Sequence, residues 1–459
     1  MLAPAAHAAS EAGARPAPAA SAEQGAPASA APADCGPIPP DEPLAQDDVL
    51  ASTAATVEPG VVPSQAPSEA GPGAIVPLPA PPPPATPRTT GEALLALPKG
   101  PDGRVPVDFE LAPGATVASS FFSPVLCATV VRVVGPPDAE PAALVTRAPA
   151  DAVTVANDVY ASAAAEVRPF AEGAGADPHR PLQWGLERVG AERAWPVSDG
   201  AGARVALLDS APDASHPDLA GVRVVPLPDA PPAPAGAHGS LLAGVVRAAA
   251  NNGFGIAGVA PGAELIGIPV CHPHGASASD TCRLYELLRG IDLAWAQGAQ
   301  VLNLSLVGPP NRLLRKAVDR MDALGVLLVA AAGNEGGEAP RYPAAYPAVI
   351  GVGAIDRTGA PYARGNRGAW VEVLAPGVEI LSTVPGGGFA FGDGTSLAAA
   401  HVSGVLALAV AATDDPRAAR AAFFAAAHAR SESPGSQAAP LPDACTVLAE
   451  LGRPCPAAP

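Results

Sequence analysis

Five short runs of almost unbroken apolar residues, at 205–208, 265–268, 301–304, 326–330 and 349–352, constrain this chain more than any other feature. Runs this short suit strands covered on both faces better than helices. Between them, residues 284–295 and 313–324 repeat apolar side chains at helical spacing. This alternation predicts an α/β fold, a three-layer sandwich with a mostly parallel central sheet. In such sheets chemistry collects beyond the carboxyl ends of the strands. Asp209 stands at one such end and Asn334 just beyond another.

Three segments carry an acid, a base and a hydroxyl in that order: ALLDSAPDASHPDL around Asp209, GAHGSLLAG around His238 and DGTSLAAAHVSG around Ser396. A serine hydroxyl is a weak nucleophile at neutral pH. It needs an imidazole to take its proton and a buried carboxylate to hold that imidazole in one tautomer. Each residue alone also has a plain structural role open to it: Asp209 as a cap or turn, His238 in a His-Gly turn, Ser396 as the N-cap of the apolar stretch 397–412. The set and its order argue for catalysis, because Asp, His, Ser differs from the orders found in α/β-hydrolases and chymotrypsin-like barrels. With AAGNEG around Asn334, and the strings HGSxxAG and GTSxAxxHVxG, roughly residues 183–428 resemble the subtilase family of serine peptidases.

That resemblance implies a serine endopeptidase that uses no cofactor in its chemistry. Ser396 would be the nucleophile, His238 the base and Asp209 its partner, with the Asn334 amide and the Ser396 N–H as oxyanion donors. A peptide or protein substrate would lie as an added strand, with Ser305, Leu306, Val307 and Gly308 on one side and Ala331, Ala332 and Gly333 on the other. Three departures stand out. Val307 occupies a position where the family has Gly, which should narrow the cleft. Ala211 replaces Gly and would strain a turn that needed positive φ. Ala400 replaces Pro, which restores a helical hydrogen bond. Asp218 and Asn252 match positions that hold a structural calcium in many subtilases, with the carbonyls of Ala250, Phe254 and Ile256 completing the oxygen set. A small unit before the catalytic region looks like the family's propeptide, a partner the enzyme carries for itself. Two other readings remain: a catalytically silent pseudoprotease that binds extended peptides, and a narrow-specificity processing peptidase or transpeptidase.

These readings divide the chain into a leader (1–90), a small α+β or β-rich propeptide-like unit (91–168), a linker or maturation segment (169–182), the catalytic domain (183–428) and a C-terminal tail (429–459). The leader is dominated by Ala, Pro, Ser and Gly and is predicted to be disordered. Ala6-His7-Ala8 in it resembles a signal-peptidase site, the remnant of a signal peptide. In the small unit, 105–111, 128–134 and 153–160 read as strands.

Net charge is −17 and the only lysines are Lys99 and Lys316, so no basic surface exists for nucleic acid. No apolar run approaches the roughly 18 residues of a membrane span. Six cysteines, an even number, suit a secreted or periplasmic protein. Proximity favours Cys271 with Cys282 and Cys445 with Cys455, leaving Cys35 for Cys127. Cys271, His272, His274 and Cys282 also have the composition of a zinc site.

Overall fold

A computed structural model describes residues 89–99, 108–162, 166–169, 177–273, 280–429 and 439–456. The leader therefore lies almost wholly outside the described residues, as do Cys35 and His274.

Four strands build the small N-terminal unit: β1 (Glu92–Pro98), β2 (Thr116–Ser123), β3 (Ala128–Val134) and β4 (Val153–Ala156). They pair antiparallel in the order β2-β3-β1-β4. Alternation along β1 gives the sheet two buried faces. Ala93, Leu95 and Leu97 pack with Val131, Val133 and Leu144 into a private core, whereas Leu94 and Ala96 turn with Ala128 and Val130 onto the catalytic unit. Within the expected strand 105–111, Glu110–Leu111 is extended and residues 105–107 lie outside the described set. The expected strand 153–160 is broken at Asn157-Asp158, and the chain continues as β5 (Val159–Ser162) and β6 (Glu166–Pro169). The break has a polar cause, because Asn157 Oδ1 accepts the Tyr285 N–H and the Asp158 carbonyl accepts the Leu284 N–H at a helix start.

The principal elements that follow are β7 (Arg204–Asp209), β8 (Arg223–Val224), α1 (Ala237–Arg247), β9 (Glu264–Pro269), β10 (Cys271–His272), β11 (Thr281–Arg283), α2 (Leu284–Ala296), β12 (Val301–Leu304), β13 (Leu306–Val307) and α3 (Arg312–Ala323). They continue with β14 (Leu327–Ala331), β15 (Val349–Ile355), β16 (Val373–Pro376), β17 (Gly388–Asp393), α4 (Thr395–Thr413), α5 (Pro416–Ala429), β18 (Ala439–Pro440) and α6 (Ala444–Glu450). Eight strands form one parallel sheet in the order β8-β9-β7-β12-β14-β15-β16-β18. Every second residue of a strand enters a different core. Val205 and Leu207 join the layer of α1 and α4, and Ala206 and Leu208 join the layer of α2 and α3. This is the three-layer sandwich the apolar runs predict.

One feature differs from expectation. The segment after 428 is no appended tail: β18 extends the sheet beside β16, and Ala444, Val447 and Leu448 of α6 are buried in the main core. Their i, i+3, i+4 spacing, behind the N-cap Asp443, is an amphipathic signal hidden by the surrounding Pro and Ala. The favoured pairings are present, Cys271 with Cys282 and Cys445 with Cys455 each forming a disulfide, which rules out the zinc alternative. Cys127 is disulfide-bonded too. Among the described residues one helix, α4, is long and apolar enough to cross a membrane, and it is almost wholly buried among the other layers.

Candidate active site

Strand β7 ends at Asp209, which is 1% exposed, and α1 begins one residue before His238, which is 9% exposed. Both Asp209 carboxylate oxygens lie against His238 Nδ1, at 2.8 and 2.9 Å. The Ser210 N–H and hydroxyl add two donors to Oδ1, so this buried charge is fully engaged. The approach of α1 depends on glycine. A Cβ on Gly239 would stand 2.0 Å from the Ser210 carbonyl oxygen, and the Gly239 N–H donates to Ser210 Oγ. Ala211 avoids the anticipated strain: its φ is not positive, and its carbonyl accepts the Gly236 N–H.

Ser396 is the second residue of α4 and is fully buried. Its carbonyl accepts a hydrogen bond from Ser305 Oγ at 3.3 Å, and Ser305 in turn accepts from Asn303, whose side-chain oxygen accepts from Ser403. This buried polar chain ties the first turn of α4 to β12. Sequence reading assigned Ser305 to substrate and missed Asn303 and Ser403. Ala400 continues the helix without interruption, as expected where Pro is absent.

Asn334 follows β14 and faces the same turn. Its Oδ1 accepts from the Thr395 N–H (3.0 Å) and hydroxyl (3.1 Å), which orients the side chain so that its NH₂ group points away from Thr395. Thr395 thereby fixes Asn334. Sequence reading did not single it out, although it is the T of the GTS string.

An extended segment of the chain itself occupies the groove beside these residues. β5 runs between β13 and β11, pairing Leu306 with Ser162, Val307 with Ala161, Cys282 with Tyr160 and Arg283 with Val159. Farther along, β6 pairs with β17, whose last residue, Asp393, stands three positions before Ser396. Leu306 and Val307 thus flank β5 on one side, with Gly308 against the Tyr160 ring. The opposite wall is Thr281–Arg283, where Ala331, Ala332 and Gly333 had been expected. Those residues have their backbone groups engaged elsewhere: Ala332 N–H to Val352, Ala332 carbonyl to Asn366, Gly333 N–H to Thr395 and Gly333 carbonyl to the Asn366 N–H. Val307 Cγ1 lies 3.2 Å from where a Cβ on Gly333 would stand.

Asp218 is fully buried beyond the C-terminal end of α1, where its carbonyl accepts from the Ala249 N–H, and burial pushes its carboxyl above the usual range despite the hydrogen bonds it accepts. It accepts from the Ile256 N–H and from Asn252 Nδ2. Asp177, also buried, accepts from the N–H groups of Asn251 and Gly253 in the same loop. Among the described residues no group of three or more His, Cys, Asp and Glu side chains could hold a metal. Any cation at this loop would need carboxamide and carbonyl oxygens as well.

A profile of the subtilase family matches residues 200–437. Thermitase of Thermoactinomyces vulgaris is 38% identical over 231 residues, 49% of this chain and 81% of that protein. Subtilisin E of Bacillus subtilis (strain 168) is 38% identical over 217 residues, 46% of this chain and 55% of its own length. M-protease of Shouchella clausii (strain KSM-K16) is 40% identical over 233 residues, 50% of this chain and 59% of its own.

Proposed function

Because this chain belongs to the subtilase family of serine peptidases, we propose that it is an endopeptidase that cleaves peptide bonds with Ser396, His238 and Asp209. The observation that carries this reading is the buried pair in which the Asp209 carboxylate holds His238 Nδ1. With Nδ1–H committed to the carboxylate, Nε2 is the basic nitrogen. It takes the Ser396 proton as Oγ attacks the scissile carbonyl, and Asp209 stabilises the imidazolium. The same nitrogen then protonates the leaving amine. Water repeats the sequence on the acyl-enzyme and releases the second product.

Negative charge on the tetrahedral intermediate needs donors already in place. The Asn334 amide, fixed through its oxygen by Thr395, and the Ser396 N–H at the start of α4 supply them. In subtilisin the loss of the nucleophile costs on the order of a millionfold in turnover, and Ser396→Ala is expected to lose peptide hydrolysis on that scale. Equal hydrolysis by the variant and the wild type would overturn the reading.

The N-terminal unit acts, on this account, as the enzyme's own propeptide. Support comes from β5 and β6, which fill the groove along which a substrate backbone would pair. The disulfides favour an oxidising compartment, secreted or periplasmic. We also propose a structural calcium held by Asp177, Asp218 and oxygens of the loop around Asn252. Burial, and to a smaller extent the neighbouring Asp177, raise the cost of ionising Asp218, and a divalent cation would offset that cost. Chelation is expected to lower the melting temperature by several degrees and Asp218→Asn to abolish that dependence, since about 1 kcal/mol shifts a domain of this size by roughly 2–4 °C. Identical melting with calcium and with chelator would contradict the site.

A further inference from the structure

We propose that the Cys271–Cys282 disulfide is a positioning device that holds the outer wall of the substrate groove in register, so that its loss weakens binding of extended substrates and leaves the chemistry at Ser396 intact. The inference rests on the reading of that groove as the substrate's place. It goes beyond that reading by assigning a role to a bridge remote from the triad in sequence.

The wall is β11, only three residues long. Its partners are β10 on one side and β5 on the other. When a substrate replaces β5, the wall is held by its continuation into α2 and by strand pairing with β10, which consists of just two registered pairs, Cys271 with Cys282 and His272 with Thr281. Two pairs make a weak ladder, since isolated two-stranded ribbons are marginal even when longer. The disulfide joins the first of those pairs directly, with Cα atoms 4.1 Å apart. Behind it, β10 is anchored at the catalytic strand, because the Val270 N–H donates to the Asp209 carbonyl. The bridge therefore links the outer wall to the strand that carries the acid.

Its position along the groove is specific. Cys282 lies in register with Tyr160, the residue of β5 whose side chain is wholly buried. The Tyr160 ring stands over Gly308, where a Cβ would come within 2.3 Å of it, and its hydroxyl donates to the Pro309 carbonyl. A substrate side chain seated there would be gripped between Gly308 on one wall and the bridged residue on the other. Both cysteines are buried, so the bridge is part of the packed wall.

The test compares wild type with Cys271→Ser/Cys282→Ser and with Cys271→Val/Cys282→Val, which keeps an apolar cross-strand pair. Rates are normalised to serines labelled by a fluorophosphonate, so an inert wild type would sink the proposed function rather than this inference. Two substrates are used: a peptide with at least four residues before the cleaved bond, and an ester of a single acetylated residue too short to reach β11. The expected result is a rise of about tenfold in KM for the long peptide, with kcat and ester hydrolysis within about twofold of wild type. Cys445→Ser/Cys455→Ser, which opens the other bridge, should leave the ratio of long to short substrate unchanged. The proposal is overturned by an unchanged KM for the long peptide, by parallel loss on both substrates, or by failure of both variants to fold.

Discussion

At the scale of single residues, the proposed chemistry depends as much on the groups that aim the reacting atoms as on those atoms. Asp209 holds His238 at Nδ1 through two oxygens, and Thr395 holds Asn334 by two donors. Neither arrangement needs to reorganise as charge develops, which is where such sites gain most of their rate. Asn334→Ala should therefore lower kcat by about a hundred- to a thousandfold while KM changes little, a magnitude taken from the corresponding subtilisin donor. Steady-state kinetics on a peptide amide checks this. A loss confined to KM would mean that the side chain binds the ground state instead. The triad strings were legible because each is local, with its chemistry and its glycines in one short segment. Thr395 was legible in principle as a neighbour of Ser396, but its role exists only where the end of β14 meets the start of α4.

At the scale of elements, the N-terminal unit is docked by helix starts and by one buried acid. Asp292 of α2 accepts from the Ser123 hydroxyl (2.9 Å) and the Val125 N–H (3.1 Å), and its Oδ2 is buried with no hydrogen-bond partner. Burial pushes its carboxyl up to about 7, against the pull of those two hydrogen bonds. Nearby, Arg320 of α3 reaches the Val125 carbonyl and Arg289 lies over the Phe121 ring. Undocking exposes Asp292 and returns it to the ordinary 3.8. The docked state therefore binds the extra proton. Docking is strongest below about pH 4 and weakens as pH rises toward 7, by on the order of a thousandfold in the docking equilibrium. Hydrogen exchange at Val125 and its neighbours in the inactive Ser396→Ala chain should quicken from pH 5 to pH 8, after correction for intrinsic exchange. Asp292→Asn, which cannot ionise, should remove that pH dependence, and its persistence in the variant would contradict the assignment.

The same scale explains what the sequence did not reveal. The five parallel strands and two helices were readable because their apolar patterns are dictated by burial on both faces. β1 was passed over although EALLALP alternates between two cores, because one of those cores belongs to another unit. β11 was passed over for a related reason. Three residues carry no periodicity, and the strand exists through pairing with segments more than a hundred residues away and across a disulfide.

At the scale of the whole molecule, the chain is a subtilase catalytic unit whose groove is filled by its own preceding segment. The same segment is tied into the fold, since Asn157 and Asp158, just before β5, also satisfy the first N–H groups of α2. It extends at the other end as well, where β18 and α6 complete the sheet and its cover. The central claim is that Ser396 is an activated nucleophile. The most direct measurement is covalent labelling of the purified chain by a fluorophosphonate, with the modified residue located by peptide mass. The account predicts a single label on Ser396, lost in Ser396→Ala and strongly reduced in His238→Ala. A folded chain freed of its N-terminal segment that takes no label, or takes it on another serine, would contradict it.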